Sequence, residues 1–228
     1  MKKKTITVGF VASKGGPGKS TLVTVMMNYI QLKYDLEIVL LETDYYQQSI
    51  TGFRQKELAD AKKMLAQLEA MEPDEDLNEE EVVEWEALIA KEKQKYTLNE
   101  DDMYEIYPIR PEDVKDVMQK DLLGEVDIVF IDVPGSLAVT QIIDAYEMVD
   151  YIIVPTCYGY QETSAFAQIM KVIEKKIRPV RKALGKGLEV YGVLNKITPN
   201  LKEYNEFVAK KDKMPIPFLK TDIQLSDV

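Results

Sequence analysis

A glycine-rich segment near the start of the chain carries residue types that bind phosphate groups. Residues 13–21 read SKGGPGKST, which matches the phosphate-binding pattern G-x-x-x-x-G-K-[ST] except that Ser13 stands at the first glycine. In such a loop the backbone N–H groups point inward at an anion, and the positive end of the following helix dipole adds to the attraction. The segment therefore predicts a site for a nucleoside triphosphate with Mg²⁺.

Each residue at the end of this segment has an expected role. Lys19 is expected to reach the β- and γ-phosphates, Ser20 to ligate Mg²⁺ and Thr21 to bond the α-phosphate. A chance glycine-rich turn is the alternative, but the segment follows a predicted strand and precedes a predicted helix, as phosphate binding requires. The residues expected to bind the nucleotide are Gly15, Gly16, Pro17, Gly18, Lys19, Ser20 and Thr21.

Carboxylates that follow two other predicted strands could complete this site. Residues 126–135, VDIVFIDVPG, form a hydrophobic run that ends in Asp132 and is followed by Gly135. Asp132 is expected to hold Mg²⁺ through water, and the Gly135 N–H to bond the γ-phosphate. Asp44 follows the second strand and is the candidate for orienting the attacking water. The alternatives are a plain turn at Gly135 and a solvent-facing acid at Asp44.

The elements that must position these residues alternate between short apolar runs and helical patterns. Strands are predicted at residues 5–12, 37–41, 126–132, 151–155 and 189–194, and helices at residues 19–34, 112–120 and 162–177. Such alternation indicates a parallel sheet with right-handed crossovers. The expected fold class is therefore α/β, a doubly wound and mostly parallel sheet with helices on both faces. Residues 216–219 are a candidate for one further short strand.

The alternation breaks at residues 54–100, where two helical patterns are joined by an acidic connection. Asn78 and Glu81 have the spacing of a capping box at the start of the second helix. We expect one domain over residues 1–228, with this helical hairpin as an insertion. Residues 69–86 hold ten acidic residues and no basic one. A solvated surface is expected there, with docking of a partner protein as the alternative.

The composition excludes several classes of chemistry. The 228 residues include no histidine and a single cysteine, Cys157. Histidine acid–base catalysis, a disulfide framework and a cysteine metal cluster are therefore excluded. No apolar run approaches the length of a transmembrane helix, and the first residues do not form a secretory signal. The cytoplasm is the expected location.

The charge of the chain is unevenly distributed. A net charge of −10 opposes nucleic-acid binding at long range, yet residues 171–186 carry seven basic residues against one acid. A local basic face can bind phosphates even on an acidic protein, although a solvated helix face is the alternative. The candidate DNA contacts are Lys175, Lys176, Arg178, Arg181 and Lys182.

Three motifs taken together resemble the deviant Walker A ATPases of the ParA/MinD group, which are P-loop NTPases. The motifs are K-G-G-x-G-K-[ST] at residues 14–20, D-x-D-x-x-Q at residues 42–47 and hhhhD-x-P-G at residues 128–135. The resemblance implies that two subunits enclose two ATP molecules, and that the catalytic Lys14 of each subunit crosses to the phosphates of the other. It also implies that Asn195 hydrogen-bonds the adenine edge, where capping of a turn is the alternative.

The sequence departs from this family at several points. Glu42 replaces the first acid of the second motif, and Tyr46 stands where a proline is often found. A basic amphipathic C-terminal helix, which anchors the MinD branch to membranes, is absent, so no membrane partner is expected. Cys157 alone matches the Fe–S reductase relatives poorly.

The resemblance and the residues lead to three hypotheses. The first is a ParA-type ATPase that forms a homodimer with Mg²⁺ and ATP, binds DNA nonspecifically, responds to a protein activator and partitions plasmid, chromosome or mobile-element DNA. Such a protein would work in the cytoplasm, on the nucleoid when DNA is bound. The second keeps the ATP-dependent switch but positions or regulates a protein cargo without DNA. The third is a metabolic ligase or kinase, for which the sequence offers no substrate-binding constellation.

Overall fold

The structure of the 228-residue chain is a computed structural model. The described residues are 3–12, 18–44, 48–97, 103–133, 145–198, 201–220 and 222–223. They fall into two compact units: the first combines the described residues of 1–49 and 104–228, and the second comprises those of 50–103. The sheet and the predicted site belong to the first unit.

Six parallel strands form the sheet within the described part of the chain. They are β1 (Ile6–Phe10), β2 (Ile38–Glu42), β3 (Glu105–Pro108), β4 (Ile128–Asp132), β5 (Tyr151–Thr156) and β6 (Glu189–Leu194), in the spatial order β3-β2-β4-β1-β5-β6. Strands β2, β3 and β4 lie on one side of the central strand β1, and β5 and β6 lie on the other. This topology confirms the predicted doubly wound α/β fold.

The helices are α1 (Lys19–Tyr34), α2 (Ser49–Glu69), α3 (Glu79–Tyr96), α4 (Val114–Val117), α5 (Tyr160–Val172), α6 (Arg178–Ala183) and α7 (Lys202–Lys211). The first of them has the bounds that its sequence pattern predicts. Wider π-type turns at Met118–Leu122 and Ile173–Ile177 extend α4 and α5, so the predicted third helix continues into α6. None of these helices is long and apolar enough to cross a bilayer.

Side chains that alternate along the strands build a core on each face of the sheet. On one face Leu41 and Ile131 belong to a buried cluster with Phe166 of α5. On the opposite face the ring centroids of Phe10 and Phe130 lie 5.8 Å apart. There α1 contacts β4 and buries Leu22, Val23 and Met27. The two clusters confirm that helices cover both faces.

The sequence patterns did not predict two of the observed elements, and one predicted strand forms only an isolated bridge. β3 is an edge strand whose residues alternate between exposed and half-buried, so it lacks the apolar run of a central strand. The helix α7 was not predicted either. Residues 216–219 do not form a strand, but Phe218 makes an isolated bridge to Gly192. A Cβ atom at Gly192 would lie 2.6 Å from the Phe218 ring, so a larger residue there would require that ring to move.

The second unit is the predicted helical hairpin. α2 begins at Ser49, five residues earlier than expected, and α3 begins after Asn78. The capping box is present, because the Asn78 side chain accepts from the Glu81 N–H at 3.1 Å and the Glu81 side chain accepts from the Asn78 N–H at 2.9 Å. These two bonds fix the start of the acidic helix α3.

Candidate functional site

The first helix begins where the glycine-rich segment ends. Gly18 precedes α1 and has φ 71°, in the left-handed region that glycine adopts without steric cost. A Cβ atom at Gly18 would also lie 2.7 Å from Nδ2 of Asn195. Both the backbone angle and the neighbouring amide therefore demand glycine at this position. The fold thus places Asn195, which follows β6, beside the end of the predicted phosphate loop.

An ion pair between Lys19 and Asp132 occupies the centre of the site. The Lys19 ammonium group donates to the Asp132 carboxylate, and the side chains are 13% and 0% exposed respectively. Burial raises the pKa of Asp132 above its usual value, and the charges of Glu42 and Asp44 raise it further. Lys19 opposes this shift by its charge and its hydrogen bond. The lysine is thus the group that makes an ionised Asp132 tolerable in a buried position.

The ends of β2 and β4 are joined beside this pair. Glu42 lies opposite Asp132 in the parallel register, and both are buried. The N–H and the hydroxyl of Thr43 both donate to the Asp132 carbonyl, at 3.1 and 2.8 Å. Asp44 follows at a half-buried position, and its carbonyl accepts from the Gln48 N–H at 2.9 Å. The predicted acids therefore converge at the carboxyl end of the sheet, where α/β folds bind ligands.

Hydroxyl groups extend the site toward the second helix. Ser20 Oγ lies 3.1 Å from Ser49 Oγ and 3.5 Å from Asp132 Oδ2. Ser49, the first residue of α2, was missed by the sequence reasoning because a lone serine at a helix start signals only a cap. Thr21, by contrast, is exposed on the first turn of α1. The structure therefore brings Lys19, Ser20 and Asp132 together and leaves Thr21 at the rim.

Asn195 is held by its own turn as well as lying beside Gly18. Its N–H donates to the Thr156 carbonyl at 2.9 Å, and its Oδ1 accepts from the Lys196 N–H at 2.9 Å. Lys196 has φ 55°, so the chain turns sharply here. The bond from the Lys196 N–H is the turn-capping contact that was the alternative for Asn195. A contact between Asn195 and adenine stays a prediction.

The donor set suits magnesium bound together with a nucleotide. Among the described residues no group of three or more acidic or cysteine side chains could hold a metal alone. Ser20 and Asp132 supply a hydroxyl and a carboxylate, and Mg²⁺ commonly completes such a shell with water and phosphate oxygens. The predicted site residues Lys14, Gly15, Gly16, Pro17 and Gly135 lie outside the described residues.

The basic segment is only partly available to an external ligand. Lys175, Lys176 and Lys182 are exposed. Arg178 is half-buried and donates to Glu174 at 2.6 Å and to the Leu188 carbonyl at 3.0 Å.

Arg181 requires a correction, because it cannot serve as a surface contact. It is 2% exposed, and its guanidinium group donates to the Glu147 carbonyl at 2.9 Å, to the Gly187 carbonyl at 2.9 Å and to Asp150 at 3.0 Å. A buried guanidinium needs such partners, so Arg181 joins α6 to the start of β5. The expectation that it contacts DNA is therefore wrong.

The fold and these residues define a P-loop NTPase, and comparison with known proteins gives the family. The model of a family described as an AAA domain matches residues 3–186, which is most of the chain. The chain belongs to this AAA domain family. No curated protein matches the chain.

Solved structures share the fold at low sequence identity. A candidate plasmid partition protein of Borrelia burgdorferi B31 bound to AMPPNP is 16% identical, with 96% of this chain and 88% of that chain covered and a TM-score of 0.58. MinD of Pyrococcus horikoshii OT3 with Mg-ADP is 15% identical, with 94% of this chain and 79% of that chain covered and a TM-score of 0.53. Cobyrinic acid a,c-diamide synthase of Mycobacterium smegmatis with ADP and magnesium is 16% identical, with 97% of this chain and 87% of that chain covered and a TM-score of 0.59.

The family match and these likenesses confirm the predicted resemblance to the ParA/MinD group. The fold alone does not separate a switch from a metabolic enzyme, since both kinds of protein share it. The distinction has to come from the chemistry of the residues around the site.

A double-mutant cycle tests the ion pair in the absence of nucleotide. Lys19→Met should lower the free energy of unfolding by about 3 kcal/mol, because it leaves a buried carboxylate without its cation. Lys19→Met combined with Asp132→Asn should recover most of that loss. Denaturant unfolding of the four proteins at neutral pH measures the coupling.

The exposed pair of Lys120 and Asp116, 2.9 Å apart, provides the matched control. Its side chains are 69% and 70% exposed, so solvent screens their attraction. The same cycle at this pair should give a much smaller coupling. Equal coupling at the two pairs would contradict the role given to Lys19.

Proposed function

We propose that this chain is an ATP-hydrolysing dimerisation switch of the ParA type, acting in the partition of plasmid, chromosome or mobile-element DNA. The observation that carries the proposal is the convergence of Lys19, Ser20 and Asp132 at the carboxyl end of a parallel sheet. The match to the AAA domain family over residues 3–186 supports nucleotide hydrolysis. The partition role rests on the likeness to the Borrelia protein and on the motif of residues 14–20.

Nucleotide binding in this proposal is an exchange of partners. Lys19 leaves Asp132 and binds the β- and γ-phosphates, while the backbone N–H groups of residues 15–21 other than Pro17 enclose them. Ser20 would ligate Mg²⁺ and Asp132 would hold it through water. The bound metal would supply positive charge to the phosphates and to Asp132.

Hydrolysis requires residues from both subunits. Asp44 orients the attacking water, and the Gly135 N–H bonds the γ-phosphate. Lys14 acts across the dimer, where a cation supplied in trans accelerates related phosphoryl transfers by about 10³–10⁵-fold. A monomer would therefore bind ATP but hydrolyse it poorly, so that a protein activator acting on the dimer can set the rate.

Asn195 recognises the base in the same proposal. Its amide lies beside Gly18, at the end of the loop that encloses the phosphates, and it is held in place by the bond from the Lys196 N–H. A side chain fixed next to the phosphate loop and at the end of a strand is suitably placed to read the adenine edge. The packing against Gly18 links base recognition to the geometry of the loop.

DNA contacts fall on the exposed part of the basic segment. Lys175, Lys176 and Lys182 are the exposed cations of the predicted set, and Arg178 adds a half-buried one. In the ATP-bound dimer these groups would be doubled, which strengthens a salt-dependent attraction to phosphates. The complex would form in the cytoplasm, on nucleoid DNA.

A switch that acts on a protein cargo is the second candidate. The net charge of −10 weakens attraction to DNA, and two of the five predicted contacts, Arg178 and Arg181, are engaged within the protein. The acidic residues in the first half of α3, from Glu79 to Glu86, are exposed and offer a surface to a partner. The two candidates share the ATP site and differ only in what the dimer binds.

Substitution of the two loop lysines separates nucleotide binding from hydrolysis. Lys19→Ala should abolish ATP binding, because the phosphates lose their main cation. Lys14→Ala should keep ATP binding and reduce hydrolysis by about 10³-fold or more, because the cation acts only across the dimer. Equilibrium binding of a fluorescent ATP analogue and phosphate release measure the two effects.

Lys4→Ala, at an exposed lysine near the same end of the chain, is the control and should change neither ATP binding nor hydrolysis. Hydrolysis at the parental rate by Lys14→Ala would rule out the trans lysine.

A DNA titration decides between the two candidates. The protein with AMPPNP should bind duplex DNA with an affinity that falls steeply with salt, whereas the ADP form and the free protein should bind weakly. Lys176→Ala with Lys182→Ala should reduce the slope of log affinity against log salt by about 2 per subunit. Lys210→Ala, at an exposed lysine of α7, is the control. An AMPPNP form without salt-sensitive DNA binding would leave the protein-cargo switch as the function.

A further inference from the structure

An apolar groove lies along α5, in the first unit and apart from the ATP site. It has a volume of about 310 Å³ and is lined by Phe166, Ala167 and Met170 of α5 and by Met214 and Pro215, which follow α7. The α5 residues recur at helical spacing, so the groove runs along one face of the helix. The two methionines can adapt their shape to an inserted side chain.

The rim of this α5 groove is cationic. Lys171 and Lys175 line it and are exposed. Glu174 also lines it, but its carboxylate accepts from Arg178 Nε at 2.6 Å. The acid on the rim is therefore neutralised by its neighbour, and the two lysines set the local charge. An occupant should combine a narrow apolar strip with carboxylates on its flanks.

The helix α3 presents a surface of this kind. Val83 is 65% exposed, and Ala87 and Ala90 are exposed at the positions four and seven residues later, on the same face. Glutamates border this strip on both sides, and all are exposed: Glu79, Glu80, Glu84 and Glu86. The strip is thus small and apolar, and it is flanked by negative charge except at its C-terminal end, where the exposed Lys91 follows Ala90.

We propose that the α3 strip of one copy of the protein docks in the α5 groove of a second copy. An amphipathic helix that lays its apolar face in a hydrophobic groove is a common mode of recognition. Val83 and the two alanines would cover the accessible part of the lining, Ala167, Met214 and Pro215, above the buried Phe166 and Met170, while the flanking glutamates would meet Lys171 and Lys175. The two surfaces match in polarity and in sign of charge, and both belong to this chain.

Such a contact has consequences that differ from those of the ATP-dependent dimer. It joins two different surfaces, so it is heterologous and can extend into a chain of subunits instead of closing in a pair. It uses no residue of the ATP site and does not depend on nucleotide. Lys175 cannot serve DNA and the α5 groove of the same subunit at once, so the two forms of binding would compete.

Sedimentation velocity of the nucleotide-free protein over a concentration series tests the proposal. The wild-type protein should form species larger than a monomer, and more of them at low salt than at high salt. Lys171→Glu with Lys175→Glu should weaken this association by about tenfold or more, and Glu80→Lys with Glu84→Lys should do the same, because each reversal turns attraction into repulsion.

Mixing the two charge-reversed proteins provides the decisive comparison. The mixture should regain wild-type association, because the reversed groove of one protein and the reversed strip of the other are again complementary. Lys186→Glu with Lys202→Glu changes the charge equally at exposed lysines outside the groove and should associate as the wild type does. A wild-type protein that stays monomeric throughout, or reversed proteins that fail to associate when mixed, would overturn the proposal.

Discussion

The buried ion pair of Lys19 and Asp132 is the interaction on which the rest of the site depends. An ionised carboxylate with no solvent exposure is tolerated only beside a cation or a metal. The sheet creates this demand, because β4 ends at its centre beside β1 and β2. The helix α1 supplies the cation, because Lys19 is the first residue of that helix and follows Gly18, where the chain turns.

In the proposed function both members of this pair change partner when a nucleotide binds, so nucleotide binding would depend on magnesium. Phosphates would draw Lys19 away, which would leave Asp132 with the charges of Glu42 and Asp44 nearby. Asp132 and Ser20 would then hold Mg²⁺, whose charge would replace that of the lysine. Ser49, whose hydroxyl lies 3.1 Å from that of Ser20, is the first residue of α2, so the proposed metal site lies beside the start of that helix.

The sequence predicted what local patterns encode and missed what tertiary packing decides. The bounds of α1 were foreseen, and those of the central strands were foreseen to within two residues, since glycine-rich turns and apolar runs mark them clearly. β3 was missed, because an edge strand needs no continuous apolar run. Arg181 was misplaced among the surface cations, because charge in a sequence does not reveal burial and only the fold brings Asp150 and two carbonyl groups around it.

The exchange of Lys19 for magnesium at Asp132 is tested most directly by calorimetric titration of ADP with and without Mg²⁺. Wild-type protein should bind ADP weakly without the metal, since nucleotide then strands a buried carboxylate. Asp132→Asn should bind ADP without Mg²⁺ at least about tenfold more tightly than the wild type, and should lose most of its response to the metal. If the substitution weakens ADP binding equally with and without Mg²⁺, Asp132 does not alternate between the lysine and the metal.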